Sequence, residues 1–197
     1  MVLAAHLVLS AYGFWLPNDP RGSWSDFVGA HGLYRFGRAT QTTSLRSVAS
    51  APHDAVGRLA AKQALRYPPI RFDGLQARAI GRGFAECVRK GGIIVWACSI
   101  LPDHAHLVIA DHRLGIDRIA NLLKGSATRR LIQERIHPLA AFSTRSGRVP
   151  KAWARGHWKV FLDAPQAVRR AIAYVEANPT KQGRPTQRWS FVTPYEG

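Results

Sequence analysis

Apolar residues recur along this chain in two rhythms, and each rhythm predicts a kind of element. A continuous run over 4–12, Ala4-Ala5-His6-Leu7-Val8-Leu9-Ser10-Ala11-Tyr12, reads as a buried strand. A β-rich run over 93–99 is followed by a turn at Pro102-Asp103 and by His104-Ala105-His106-Leu107-Val108-Ile109, so the two runs can pair as a hairpin. Residues 158–162 give a fourth strand. Helical spacing takes over between these runs. Ile80, Phe84, Cys87 and Val88 mark a helix over 75–90 that Gly91-Gly92 ends. Ile116, Ile119, Ala120, Leu123, Ala127 and Leu131 mark one over 116–135, and a short helix fits 55–65. Val168, Ala171, Ile172 and Val175 mark the last helix. Asp163 is its expected N-cap, Pro165 fits its first turn, and Gln166 has capping-box spacing. It should stop near Ala177, because Pro179 pushes Asn178 out of helical geometry. The order strand, helix, strand, strand, helix, strand, helix predicts an α+β fold. Its core would be a single antiparallel sheet with helices on one face, close to the ferredoxin-like arrangement. Residues 1–197 read as one domain with an irregular insertion at about 26–52, rich in Gly, Ser, Thr and Arg.

Charge sharpens this picture. Lys and Arg number 28 against 12 acids, a formal net charge of +16. A compact domain so unbalanced repels itself unless it meets a polyanion; nucleic acid is the first candidate, an anionic membrane the second. No basic amphipathic surface helix with large apolar residues stands out, and no run of about 18 apolar residues exists. Residues 1–5 are too short and lack the basic start of a signal peptide. Cys87 and Cys98 sit in apolar periodic segments and read as free buried thiols, so a cytoplasmic protein is expected. The basic positions expected to meet nucleic acid are Lys124, Arg129 and Arg130 on the 116–135 helix, and Arg148, Lys151 and Arg155 in the loop before the fourth strand. Gly125 admits either a nucleic-acid backbone or tight packing. Trp15 and Trp24, in the turn-rich stretch after the first strand, can pack the loop or offer faces to bases.

The candidate chemistry sits on two elements. In a strand, residues i and i+2 share a face, so His104 and His106 stand side by side and can share one ion; a strand can equally carry two histidines for packing. Four residues separate Tyr174 from Asn178, which puts them on one helical face, one turn apart. A two-histidine strand, a Tyr-x-x-x-Asn helix and a basic surface together suggest phosphodiester chemistry. No Gly-rich phosphate loop followed by Lys-Ser/Thr is present. A three-carboxylate nuclease is disfavoured, since Asp103, Asp111, Asp117 and Asp163 read as turn or cap residues. His6 reads as a strand-face histidine with a structural partner; His31, His53, His112, His137 and His157 read as surface or loop residues.

With these residues in place the chain resembles the HUH tyrosine transposases acting on single-stranded DNA, especially the REP-associated and insertion-sequence-200-like kind. The matching residues are Leu101-Pro102-Asp103-His104-Ala105-His106, Leu123-Lys124-Gly125, Trp158, and Tyr174-Val175-Glu176-Ala177-Asn178-Pro179. The early Gly13-Phe14-Trp15-Leu16-Pro17-Asn18-Asp19-Pro20-Arg21-Gly22 is also similar to that family's N-terminal signature. Ala105 departs from the bulkier residue usual there, and the insertion is longer than in compact members. The resemblance implies a catalytic Tyr174, and Mg2+ or Mn2+ held by His104, His106 and Asn178. It further implies single-stranded DNA with hairpins as partner, and a 5′-phosphotyrosine intermediate. A homodimer, with the tyrosine helix serving either chain's histidines, stays open, as does a relative that binds DNA or RNA hairpins without cutting them.

Overall fold

A computed structural model of the chain describes residues 1–44 and 47–197. Four strands form one antiparallel sheet: β1 Ala4–Ser10, β2 Val95–Ile100, β3 His104–Ala110 and β4 Trp158–Leu162, in the order β2-β3-β1-β4. The helices are α1 Ala55–Gln63, α2 Gly74–Gly91, α3 Ile116–Gln133 and α4 Pro165–Lys181. With α2 linking β1 to β2 and α3 linking β3 to β4, the sheet has the ferredoxin-like order, and the β2–β3 hairpin turns at Pro102-Asp103.

The helices do not all share a face. Strand alternation sends Ala5, Leu7, Leu9, Ala105, Leu107 and Ile109 into one cluster with α2 and α3. Ala4, Val108 and Leu162 enter a second cluster with Val168, Ala171 and Val175 of α4. The expectation of helices on one face therefore holds for the connecting helices, and α4 covers the opposite side. The reason is legible in β1 and β3: besides the fully apolar face, each carries apolar residues on the other, Ala4 and Val8 in β1 and Val108 in β3, so both faces need cover.

Two expectations about α4 are corrected. Its N-cap is Ala164, in extended conformation, with no side-chain cap bond; Asp163 sits one residue too early. Pro165 has no N–H to cap, which eases the omission. The helix also runs past Ala177 to Lys181 with Pro179 inside it. Proline removes one backbone bond there, while Asn178 and Pro179 are both buried, so packing holds the last turn.

The connecting helices meet at a glycine. A Cβ on Gly83 would lie 2.7 Å from the Ala127 Cα, so α2 and α3 approach backbone to backbone. A Cβ on Gly125, by contrast, would meet only the Arg129 Nη1, at 3.6 Å, among the described residues. The stretch read as an insertion forms a 3-10 turn, His31–Phe36, and buries Val28 and Leu33 with Leu16 and the α1 residue Ala61. Leu45 and Arg46, inside that stretch, lie outside the described residues. The outer edge of β2 is covered by the C-terminal segment: Gln187 bonds both the N–H and the C=O of Ile100 at 2.8 Å, and the Thr193 N–H donates to Val95. Among the described residues no helix is long and apolar enough to cross a membrane. Cys87 and Cys98 are free and buried, and burial pushes both thiols up.

Candidate active site

The face of the sheet that α4 covers carries the polar chemistry. Register places His6, His104, His106 and Trp158 on it, among Val8, Val108 and Val160. All three histidines are buried. His104 Nδ1 donates to Asp103 Oδ1 at 2.7 Å; a carboxylate only accepts, so that nitrogen carries a proton, and Nε2 is the ring nitrogen left for another partner. Burial opposes the charge on Asp103, yet its bond to His104 and the nearby Arg71 hold its carboxyl below the ordinary value.

His106 Nδ1 meets His6 Nε2 at 3.0 Å, and either ring can be the donor. Their rings stack at 5.2 Å and 29°. Burial lowers His6 to about 4 and His106 well below 6.5, with neighbouring imidazoles adding to the effect on His106. Both rings are therefore neutral near pH 7, the state in which imidazole binds a metal. When His106 is the donor, its Nε2 is bare as well. His6 was read from the sequence as having a structural partner, and it has one; that the partner is the second histidine of the motif was not legible, because 100 residues separate them.

Helix α4 delivers Tyr174 to this face. Its ring lies 5.6 Å from His106 and 5.8 Å from His6, both near edge-on, and it belongs to the same chain as those histidines. The residue is 40% exposed, so the phenol is reachable from solvent. Lys181 Nζ stands 5.1 Å from the ring centre. Asn178 continues the buried stripe Val168, Ala171 and Val175 towards the sheet, and its Nδ2 has no hydrogen-bond partner among the described residues. Ser99, across from His106 on β2, has a buried Oγ in the same condition. A buried polar group without a partner costs about 1–3 kcal/mol, so this face holds polarity that packing alone does not use.

Among the described residues no three His, Cys, Asp or Glu side chains converge to hold a metal ion. Donors on this face would instead be the Nε2 atoms of His104 and His106 and the Asn178 amide, whose oxygen and nitrogen exchange places by a simple flip. Two imidazoles, each anchored through Nδ1, and a buried amide whose Nδ2 is unpartnered among the described residues fit a divalent ion of the manganese or magnesium kind.

The basic residues expected to meet nucleic acid separate into two groups. Arg148, Lys151 and Arg155 are exposed, and none makes an ion pair among the described residues. Arg129 is exposed on α3 and bonds Ser126. Arg130 instead lies against the Glu86 and Glu134 carboxylates, at 3.4 and 3.9 Å, where α3 meets α2. Lys124 is not a surface cation: it is buried, and its Nζ donates to the carbonyls of Ala154, Arg155 and Gly156 at 2.9, 3.4 and 2.7 Å. Burial lowers it to about 8, while the three oxygens favour the ammonium. What buries it is a loop about 30 residues further on, which helical spacing cannot reveal.

Two further histidines lie in loops, as expected, but each is held by a partner there. His137 is buried, accepts from the Leu139 N–H, and is lowered by burial. His157 is tied to Asp117 at 2.8 Å, and Lys159 shares that carboxylate. Sequence reasoning also passed over Phe14, whose ring stacks on His104 at 4.7 Å and 8°. Its only signal was its place in the aromatic stretch after β1.

No protein-family model matches this chain, and no curated protein matches it. Similar solved structures include a REP-associated tyrosine transposase bound to a REP hairpin, 11% identical, over 92% of this chain and 68% of that one, with a TM-score of 0.46. Another is a protein of Deinococcus radiodurans R1 described as a transposase, 13% identical, over 89% and 90%, with a TM-score of 0.44.

Proposed function

We propose that this protein cleaves and rejoins single-stranded DNA, as a tyrosine transposase does, with Tyr174 as nucleophile. The observation that carries the reading is the placement of an accessible phenol 5.6 Å, ring to ring, from a buried neutral histidine pair on the same chain. Tyr174 Oη attacks a backbone phosphorus, the bond from phosphorus to the 3′ oxygen breaks, and the phenol proton is lost as that oxygen gains one. The products are a 5′-phosphotyrosine and a free 3′-hydroxyl. Attack by a second 3′-hydroxyl reverses the step and restores a phosphodiester, so no nucleotide cofactor is needed.

The chain's own residues divide the work. Asp103 and His6 hold the two motif histidines by their Nδ1 atoms and leave Nε2 free. His104, His106 and Asn178 would hold Mg2+ or Mn2+, which supplies charge stabilisation at the phosphate when bound. Arg148, Lys151 and Arg155 supply exposed positive charge for the strand, and Lys124 braces the loop that presents Arg155.

The test is incubation with end-labelled hairpin oligonucleotides carrying single-stranded flanks, in Mn2+ or Mg2+. A labelled band that survives denaturant, and is missing in Tyr174→Phe, supports the reading. Tight binding with no covalent species under either metal would replace it with a hairpin-binding protein that does not cut.

A further inference from the structure

The aromatic loop after β1 is more heavily built than a connection requires. Ser23 is buried and pinned on three sides: its N–H donates to Thr40, its C=O accepts from Thr42, and its Oγ donates to Pro17. Asp19 is buried and takes a two-pronged pair from Arg21. Arg21 in turn covers the Trp15 ring at 4.0 Å, and the Trp15 Nε1–H donates to Gly22. Asn18 donates to the carbonyls of Leu33 and Gly37. Every polar group named here fixes the loop, and Trp15 is spent on it too.

Trp24 is the exception. It follows the pinned Ser23 directly, yet it is 44% exposed, its Nε1–H has no partner among the described residues, and it belongs to none of the buried clusters. Its ring meets Trp158 edge-on at 6.0 Å. Trp158 meets His6 edge-on at 5.2 Å, and His6 meets Tyr174 at 5.8 Å. An unbroken line of rings therefore runs from the phenol outwards to an exposed indole on a rigid stalk. Packing explains Trp15; it does not explain holding Trp24 out.

We infer that Trp24, backed by Trp158, is a stacking platform for an unpaired base of the DNA strand, close to the scissile phosphate. This rests on the function proposed above. An indole face binds any base without reading its edge, and a pre-fixed one loses little freedom on binding. The surrounding charge suits the same occupant: Arg155 is exposed three residues before Trp158, and Lys181 stands over Tyr174.

Fluorescence anisotropy tests it with two labelled probes of equal charge, a 15-mer of thymidylate and the same 15-mer with abasic sugars throughout. Trp24→Ala is expected to weaken the thymidylate probe about ten-fold or more, Trp24→Phe to restore most of the affinity, and the abasic probe to bind wild type and Trp24→Ala alike. The slope of log affinity against log salt should be the same in wild type and variant, since no phosphate contact is removed. Equal thymidylate binding by wild type and Trp24→Ala overturns the inference, as does an equal loss on the abasic probe. A wild type that binds neither probe overturns the proposed function itself, and this inference with it.

Discussion

At the scale of single residues, the same kind of reasoning reads two pairs and misreads one side chain. His104 and His106 share a face because strand side chains alternate, and Tyr174 with Asn178 because four residues make about one helical turn; both follow from backbone geometry alone. Lys124 defeats that reasoning. Helical spacing puts it beside the buried stripe, but its burial is decided by the carbonyls of residues 154–156. A buried ammonium with three acceptors holds a loop in place, so Lys124→Met should leave those oxygens unpaired. We expect a loss of about 1–3 kcal/mol in urea unfolding. An unchanged midpoint would contradict the role of brace.

At the scale of elements, the strands and the two connecting helices were legible because each carries its own period, 2 or 3.6, in its apolar residues. What one element asks of another was not. Pro179 reads locally as a stop, yet α4 continues through it because Asn178 and Pro179 are buried. Gly83 reads locally as a weak point in α2, yet it is where α3 comes closest. Gly83→Ala would raise helix propensity by about 1 kcal/mol, but its Cβ would meet the Ala127 backbone at 2.7 Å, where nothing flexible can give way. Overpacking of about 1–3 kcal/mol or more should win, lowering the melting temperature by several degrees. A variant as stable as wild type would mean that the helices are free to separate there.

At the scale of the whole molecule, three buried imidazoles make the fold sensitive to acid. His6, His106 and His137 are all lowered by burial, so the unfolded chain binds more protons than the folded one below about pH 6.5. Stability should therefore be full above that value and fall as pH drops towards 4. For His6, 1.5 units below its ordinary value at pH 5 corresponds to about 2 kcal/mol. Urea unfolding at pH 7 and pH 5 checks this, with a shallower loss expected for His6→Gln; equal pH dependence in the two chains would remove His6 from the account. The sheet order, which sets His6 against His106 and turns both towards α4, comes from pairing between distant strands, and no single stretch of sequence states it.

The central claim is that the phenol of Tyr174 becomes bonded to DNA. Its most direct test is to trap the covalent species on a single-stranded hairpin substrate, digest the DNA and the protein, and find by mass spectrometry which tryptic peptide keeps a nucleotide. Cleavage after Arg170 and Lys181 isolates residues 171–181, whose one tyrosine is Tyr174. The account predicts the added 5′-nucleotide on that peptide and on Tyr174 within it. A nucleotide carried by any other peptide would contradict it.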